Sequence, residues 1–444
     1  MPFGGTRMSG LNLKVLPGEG PDVREGASEV ATEGVSRAED FVRGRGIRLV
    51  REDGTAFLDA ASGTFNVPLG YDHPEVVEAV VEQLRRMAHA SSSLMAAQAK
   101  QVLSELLAHA PSHLTAGWMR DITGSTANEC AVQVAQKATG KTDVLSLFLS
   151  HHGQTQFTTA ISGNAFRRKG FPEAVSPHSV KVPAPYCYRC FYKAKYPGCG
   201  MLCVERISDF VEYASSGSVA CMLVEPVLGN GGNVVPPPGY FQALNKLCEE
   251  KGILLIADEV QTGMGRTGHL FASEALGFKP NIVTLAKGLG GIGVPVAAVL
   301  FEGTLDVLES HEHSFTSGCN PVALTAASAT LKAMTSGHLL ANVRRNGIIL
   351  GELLRTLATR HPCVGDVRGL GYMWGLEIVR EDGSPDVEKT LALIRVAQER
   401  HQLVLRGSRY SFGNVVKVRP PLIATQDDLE EIVARLGRAL ADVG

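Results

Sequence analysis

No stretch of this chain is apolar enough to cross a membrane as a helix: none of its hydrophobic runs approaches the roughly 20 residues such a span requires. A strong charge of either sign is missing too. The formal net charge is −2, which leaves no electrostatic case for nucleic acid or a membrane surface as partner. The N-terminus lacks the basic-then-apolar order of a signal peptide; it is rich in Gly and Pro and reads as a loose arm. Internal repeats, low-complexity tracts and long like-charge blocks are absent. Nine cysteines without an export signal point to a reducing cytoplasm.

What is present is the composition of a soluble globular protein, 44% hydrophobic and 20% charged. A length of 444 residues exceeds what one compact core takes up and predicts two or three domains. Gly46–Val50 and Ala56–Asp59 flank a turn at Asp53–Gly54, a hairpin signal. Asp72-His73-Pro74 opens a helix whose apolar positions Val77, Val80, Val81, Leu84 and Ala88 fall at helical spacing. Four continuous apolar runs follow: Val144–Leu149, Ala220–Val224, Ile253–Ala257 and Ile282–Leu285. Continuous rather than alternating hydrophobicity predicts strands buried on both faces, as in a parallel sheet under helices. A helix fits Gly239–Lys251, with Gly252 as its stop. From about residue 326 helices dominate, and Thr425–Asp428 reads as a capping box opening a last helix through Ala441.

Each run is followed by polar residues: His151 and His152, then Glu225, then Asp258-Glu259-Val260-Gln261, then Lys287. Open α/β sheets bind ligands at the carboxyl ends of their strands, so four segments aim reactive groups at one crevice. A lysine and a carboxylate just beyond buried strands are the pair that pyridoxal phosphate (PLP) chemistry needs. The amine of Lys287 can form a Schiff base with the cofactor aldehyde, and Asp258 can keep the pyridine nitrogen protonated. Gly124-Ser125-Thr126, opening a helix, supplies an anion pocket for the phosphate. Each feature alone has a plainer reading, as a helix cap, a solvated loop lysine or a strand-end turn; their joint occurrence is what points to PLP.

Asp258-Glu259-Val260-Gln261-Thr262-Gly263-Met264-Gly265-Arg266-Thr267-Gly268, with Lys-Gly at Lys287, resembles the signature of class III aminotransferases, PLP enzymes of fold type I. Gly70-Tyr71-Asp72-His73-Pro74, Val367-Arg368-Gly369 and Arg419-Pro420-Pro421-Leu422 extend the likeness from about residue 40 to the end. The resemblance implies an α/β fold with a large, mostly parallel domain and a smaller α/β domain built from both ends of the chain. The expected division is an arm over 1–40, a segment over 41–90 contributing to the small domain, a large PLP-binding domain over 91–325 and a C-terminal small domain over 326–444. The implied activity is transfer of an amino group from a small-molecule amine donor to a carbonyl acceptor. Lys287 would carry PLP and move the proton, and Asp258 would hold the ring nitrogen. Val260 would pack on one ring face and His151 on the other, Gln261 would approach the phenolic oxygen, and Glu225 would join that network. Ser314–Gly318 resembles the segment whose threonine, here Thr316, reaches the phosphate of the neighbouring subunit, implying a homodimer with shared sites.

Two other classes compete. Gly288-Leu289-Gly290-Gly291-Ile292-Gly293 fits a dinucleotide fingerprint, as in an NAD-dependent oxidoreductase, but Val294–Leu300 reads as a strand where that fingerprint needs a helix. Cys187, Cys190, Cys199 and Cys203, within seventeen residues, have spacing close to that of small zinc sites. The substrate is hinted at by two departures from the family pattern. Amino acid members place an arginine for the α-carboxylate where Lys417 stands, and a masking glutamate where Asn230 stands. A lysine cannot make the bidentate fork. The expected substrate is therefore an amine not handled as a standard α-amino acid, such as an amino sugar or cyclitol of a natural-product pathway. Arg419, on the same side of a strand as Lys417, remains a candidate carboxylate ligand. Racemisation or epimerisation and phosphate elimination remain open on the same scaffold.

Overall fold

Three short strands, β1 (Phe41–Arg45), β2 (Arg48–Arg51) and β3 (Ala56–Asp59), lead the part of the chain that the computed structural model describes, residues 41–168, 178–408 and 412–444. The arm expected over 1–40 lies outside the described residues. β2 and β3 form the predicted hairpin, with Arg48 opposite Leu58 and Val50 opposite Ala56. Its turn is closed by the Thr55 N–H donating to Asp53 Oδ1 at 2.8 Å, with Gly54 at φ 85°. The next helix, Pro74–Arg86, starts where expected, with Pro in its first turn. Its packing differs from expectation. Val76 is the buried position, Val77 and Val80 are half-buried, and Val81 and Leu84 are 38% and 50% exposed. Ala88 lies beyond the helix end.

The apolar runs become the centre of a seven-stranded sheet: β4 (Ala116–Asp121), β5 (Asp143–Leu147), β6 (Ser179–Val182), β7 (Val219–Val224), β8 (Leu254–Asp258), β9 (Ile282–Leu285) and β10 (Ala297–Phe301). The order is β4-β10-β9-β8-β7-β5-β6. β6, β5, β7, β8 and β9 run parallel, while β10 is antiparallel to both neighbours. Every residue of β5, β7, β9 and β10 is buried, the physical reason their sequences are continuously apolar. Alternate residues serve two cores. Leu255, Ala257, Val283 and Leu285 join the larger one, and Ile256 and Ile282 meet Ala127, Ala131 and Val134 of the helix Gly124–Thr139 on the other face. The strand β10 occupies the place where a dinucleotide fingerprint would need its helix, so the NAD reading fails on the fold.

The helix Tyr240–Lys251 ends at Gly252, left-handed at φ 59°, as its sequence predicts. The C-terminal part adds β11 (Val364–Leu370), β12 (Met373–Ile378), β13 (Leu403–Val404), β14 (Arg406–Gly407) and β15 (Val415–Val418). β11-β12-β15-β14 form an antiparallel sheet. β13 instead pairs in parallel with β3, so the hairpin and a C-terminal strand share one sheet. The final helix, Gln426–Val443, carries the predicted capping box between Thr425 and Asp428. Among the described residues no helix is long and apolar enough to cross a membrane.

Candidate active site

Four parallel strands end at one crevice. Asp258 is the last residue of β8 and pairs in register with Thr284 of β9. Lys287 follows β9 at the start of a 3-10 turn, Lys287–Gly290. Glu225 follows β7, and His151 and His152 lie beyond β5. The helix Gly124–Thr139 follows β4 and opens toward the same region. Lys287 has φ 41°, a left-handed conformation that a residue with a Cβ adopts only when the surroundings enforce it.

Asp258 is the most densely tied group. Its Oδ2 accepts Nδ2–H of Asn128 at 2.8 Å and lies 2.8 Å from His152 Nδ1. Its Oδ1 accepts the Val260 N–H at 3.1 Å. Asn128 also donates to the His152 carbonyl at 2.8 Å and accepts the Thr284 hydroxyl at 2.8 Å. Burial pushes the Asp258 carboxyl upward, but His152, Lys287 and the Val260 amide outweigh it and hold it below the usual range. A buried carboxylate that stays ionised is the partner a protonated ring nitrogen requires. Burial lowers the Lys287 ammonium, with Asp258 and Glu225 pulling the other way, which brings the amine nearer to the neutral, nucleophilic form. Glu225 is raised, chiefly by burial. Its oxygens accept the amides of His151 at 2.8 Å and Gly229 at 2.9 Å.

The phosphate side is a helix start. Thr123 caps it by accepting the Thr126 N–H at 3.3 Å, and Ser125 Oγ accepts the Gln154 N–H at 3.0 Å. A Cβ on Gly124 would lie 2.6 Å from Val260 Cγ1. Only glycine therefore lets this helix start approach Val260 so closely. This donor set fits PLP: a lysine, an ionised carboxylate, a helix N-terminus with hydroxyls, and an apolar Val260 between them.

Beyond this cradle lie two buried cations of β15 and its end, Lys417 and Arg419, 2% and 1% exposed. Both terminal nitrogens of Arg419 are engaged by its own chain, while its buried Nε has no partner among the described residues. NH1 donates to Gln261 Oε1 at 2.7 Å, NH2 donates to the Gly229 carbonyl at 2.8 Å and to Asn233 Oδ1, and the guanidinium lies 4.0 Å from the centre of the Phe65 ring. Lys417 makes no hydrogen bond or ion pair among the described residues; its Nζ lies 5.7 Å from the same ring. Burial and the neighbouring Arg419 lower it well below the usual lysine range. Asn230 is buried in the turn between Leu228 and Val234, and its carbonyl accepts the Ser408 hydroxyl at 2.7 Å.

The crevice thus collects Gly124, Ser125, Thr126, His151, Glu225, Asp258, Val260, Gln261 and Lys287 with Asn230, Lys417 and Arg419. Thr316 is not among them: it is exposed on a surface turn, and its side chain makes no hydrogen bond among the described residues. Sequence reasoning missed Asn128 and Phe65 as site residues and named His152 without giving it a role. Asn128 carries a usable signal, one helical turn after Gly124. Of the two adjacent histidines, His152 pairs with Asp258, while His151 is half-buried with its amide on Glu225. Cys187, Cys190, Cys199 and Cys203 stand apart from the crevice. They line one cavity of about 20 Å³, and none is in a disulfide.

Comparison with known proteins agrees with this chemistry. The family model for aminotransferase class-III matches residues 31–440. The chain is 33% identical over 393 residues to the 4-aminobutyrate aminotransferase of Escherichia coli, covering 86% of this chain and 88% of that one. It is 32% identical over 408 residues to the alanine/serine racemase of Pyrococcus horikoshii, covering 90% and 85%. A PLP-bound amine transaminase from an uncultivated Pseudomonas species superposes with a TM-score of 0.85 at 26% identity, covering 99% of this chain and 100% of that one. The chain belongs to the class III aminotransferases, enzymes of fold type I that use pyridoxal phosphate.

Proposed function

We propose that this aminotransferase acts on an amine whose far end is not gripped as an α-carboxylate, such as an amino sugar, an aminocyclitol or another polyol-like amine, with a keto or aldehyde acceptor. The observation that carries the reading is the state of the two cations beyond the cradle. Arg419, the one planar fork, has both terminal nitrogens on Gln261, Gly229 and Asn233. Lys417 is a point charge and cannot replace a bidentate grip. Asn230, a neutral amide, offers hydrogen bonds suited to hydroxyls.

The residues divide the work as follows. PLP, when bound, supplies an electron sink beside the amine nitrogen. Asp258, oriented by His152 and Asn128, holds the ring-nitrogen proton. Lys287 anchors the cofactor, and its Nζ moves the proton at the amine-bearing carbon. Val260, His151 and Gln261 would hold the cofactor ring, and Gly124, Ser125 and Thr126 would hold its phosphate. Glu225 holds the amides of His151 and Gly229 in place.

The functional unit in this proposal is a cytoplasmic homodimer with shared sites. Support comes from the exposed Thr316 and from the apolar surface of Val81, Leu84, Met87 and Leu94, which is 38–78% exposed. The segment 41–90 and residues 326–444 make the smaller domain beside a PLP-binding domain over 91–325. β3 pairing with β13 supports that division.

The deciding experiment compares an amino sugar, a terminal diamine, ornithine and GABA as donors, following the cofactor absorbance. The amino sugar should be preferred, and Lys417→Ala should change its KM. If ornithine or GABA is by far the best donor and Lys417→Ala leaves its kinetics unchanged, the reading is wrong. Racemase relatives support a second reading, epimerisation. Its signature is solvent deuterium entering the recovered amine with no keto product.

A further inference from the structure

Between β6 and β7 lies a segment that the amine chemistry does not use. From Cys187 to Cys203 its regular structure amounts to a three-residue 3-10 turn, Cys187–Arg189, and the start of a four-residue helix, Leu202–Glu205. Cys187, Cys190, Cys199 and Cys203 face one cavity of about 20 Å³ with Tyr192 and Met201. That volume holds a single water or ion. Two phenol oxygens at this place, Tyr192 Oη and Tyr240 Oη, are buried with no hydrogen-bond partner among the described residues. Tyr240 is 1% exposed, Tyr192 lines the cavity, and a Cβ on Gly239, next to Tyr240, would lie 3.0 Å from Met201 Cε of the same cavity wall. Buried hydroxyls left without an acceptor cost about 1–3 kcal/mol each, so two beside four thiols mark a polar cluster with a missing component.

We propose that Cys187, Cys190, Cys199 and Cys203 bind one zinc ion as a tetrathiolate, with the Tyr192 and Tyr240 hydroxyls donating to its sulfurs. Binding is Zn²⁺ plus four thiols giving a tetrathiolate zinc with charge −2 and four released protons, with no redox change. The thiolates accept the phenol hydrogens as neutral thiols do poorly. Lys193 and Lys195 in the same stretch would offset the added charge. The sulfurs must draw together on binding: among the described residues, the one trio of donor atoms within 4.8 Å of each other is Asp121, Cys130 and His313. The stretch between Cys190 and Cys199 is a loop, with glycines at Gly198 and Gly200 on either side of Cys199, while Cys203 lies on the helix Leu202–Glu205 packed against the core. The Asp121 trio is a different case, because His313 already bonds Asp121 at 2.8 Å and Gln133 at 2.9 Å.

The consequence reaches the substrate side. Tyr186 and Arg189, at the start of the segment, both donate to buried Glu377. Glu377 also accepts Arg368 NH1 at 2.7 Å, and Arg368 Nε donates to the Gly232 carbonyl at 2.9 Å, in the turn that carries Asn230. Zinc would fix the loop that braces this turn.

The test uses the PLP-loaded protein purified without chelator. Elemental analysis should find about one zinc per chain. Cobalt(II) added after zinc removal should give thiolate-to-cobalt charge-transfer absorption, and the four cysteines should resist alkylation until zinc is removed. Tyr240→Phe should weaken zinc retention about 10-fold while the bound-PLP absorbance is kept. Zinc absent and all four thiols alkylated in the native protein, or any two of them joined in a disulfide, overturns the proposal without recourse to a variant.

Discussion

Glu259 and Asp258 are neighbours with opposite electrostatics. Asp258 meets His152 and Asn128, whereas Glu259 accepts the Ala272 and Ser273 amides at 2.5 and 2.8 Å, with no cation among the causes of its shift. Burial pushes it up to about 7, and the two amides only moderate the rise. Because the folded value lies above the unfolded one, its contribution to stability is complete below about pH 4.5 and is lost as pH rises through about 7. Glu259→Gln keeps one acceptor oxygen and removes the titration. The wild type should therefore lose on the order of 1–3 kcal/mol relative to the variant between pH 4.5 and 8. Denaturation curves that stay parallel across that range exclude this account. Asn128 acts through Asp258 rather than on the cofactor, so Asn128→Ala should weaken PLP retention by about 10-fold in an absorbance titration. An unchanged affinity would show that His152 alone orients the carboxylate. These two cases explain what was legible at this scale. Asp258 and Lys287 stand out because each closely follows or ends an apolar run, whereas the roles of Asn128 and His152 run through a partner more than 100 positions away; the place of Asn128 one turn after Gly124 is a signal, but its bond to Asp258 is not written in any local pattern.

Among the elements, the buried strands were readable because both faces of β5, β7 and β9 are covered, and a strand with no polar face has an unmistakable sequence. The ends of Tyr240–Lys251 and Gln426–Val443 were readable because Gly252 and the Thr425–Asp428 box are local chemistry. The turn Ser62–Phe65 was not. Ser62, Gly63 and Phe65 have φ of 50°, 63° and 68°, held by Asp59 accepting the Ala61 and Gly63 amides at 2.7 Å each and the Tyr71 hydroxyl at 2.6 Å. That strain is imposed by tertiary contacts and puts Phe65 against Arg419. The helix start at Gly124 offers the sharper test. Its Cβ would overlap Val260, which packs from another strand end. Gly124→Ala should keep the fold but push Val260 and the anion-binding turn apart, raising the concentration of PLP needed for half-saturation by at least about 10-fold. Val260→Ala in the same chain removes the overlapping methyls and should restore part of the loss. If the double variant binds PLP no better than Gly124→Ala alone, steric conflict is not the cause.

At the scale of the whole molecule, the exposed face of Pro74–Arg86 and the exposed Thr316 both bear on the proposed dimer. The periodicity of Val77, Val80, Val81 and Leu84 is that of a buried face, yet within one chain Val81 and Leu84 remain exposed. In the proposed dimer a second chain would cover that face. The segment before Thr316 is firmly placed, since His313 bonds both Asp121 and Gln133, so Thr316 is presented outward from an anchored base. If Thr316 serves the partner's phosphate, a Lys287→Ala chain and a Thr316→Ala chain complement each other. In a mixed dimer one site carries both lesions and the other carries neither. Random reassortment of equal amounts makes half the dimers mixed, so about one quarter of wild-type sites should be intact. Activity at limiting PLP should rise to about that fraction, above the mean of the two parent variants, and should appear only after subunits have been allowed to exchange. Activity that stays at the mean of the parents, with mixed dimers demonstrated by mass, would mean that each chain builds its phosphate site alone and that Thr316 has another role.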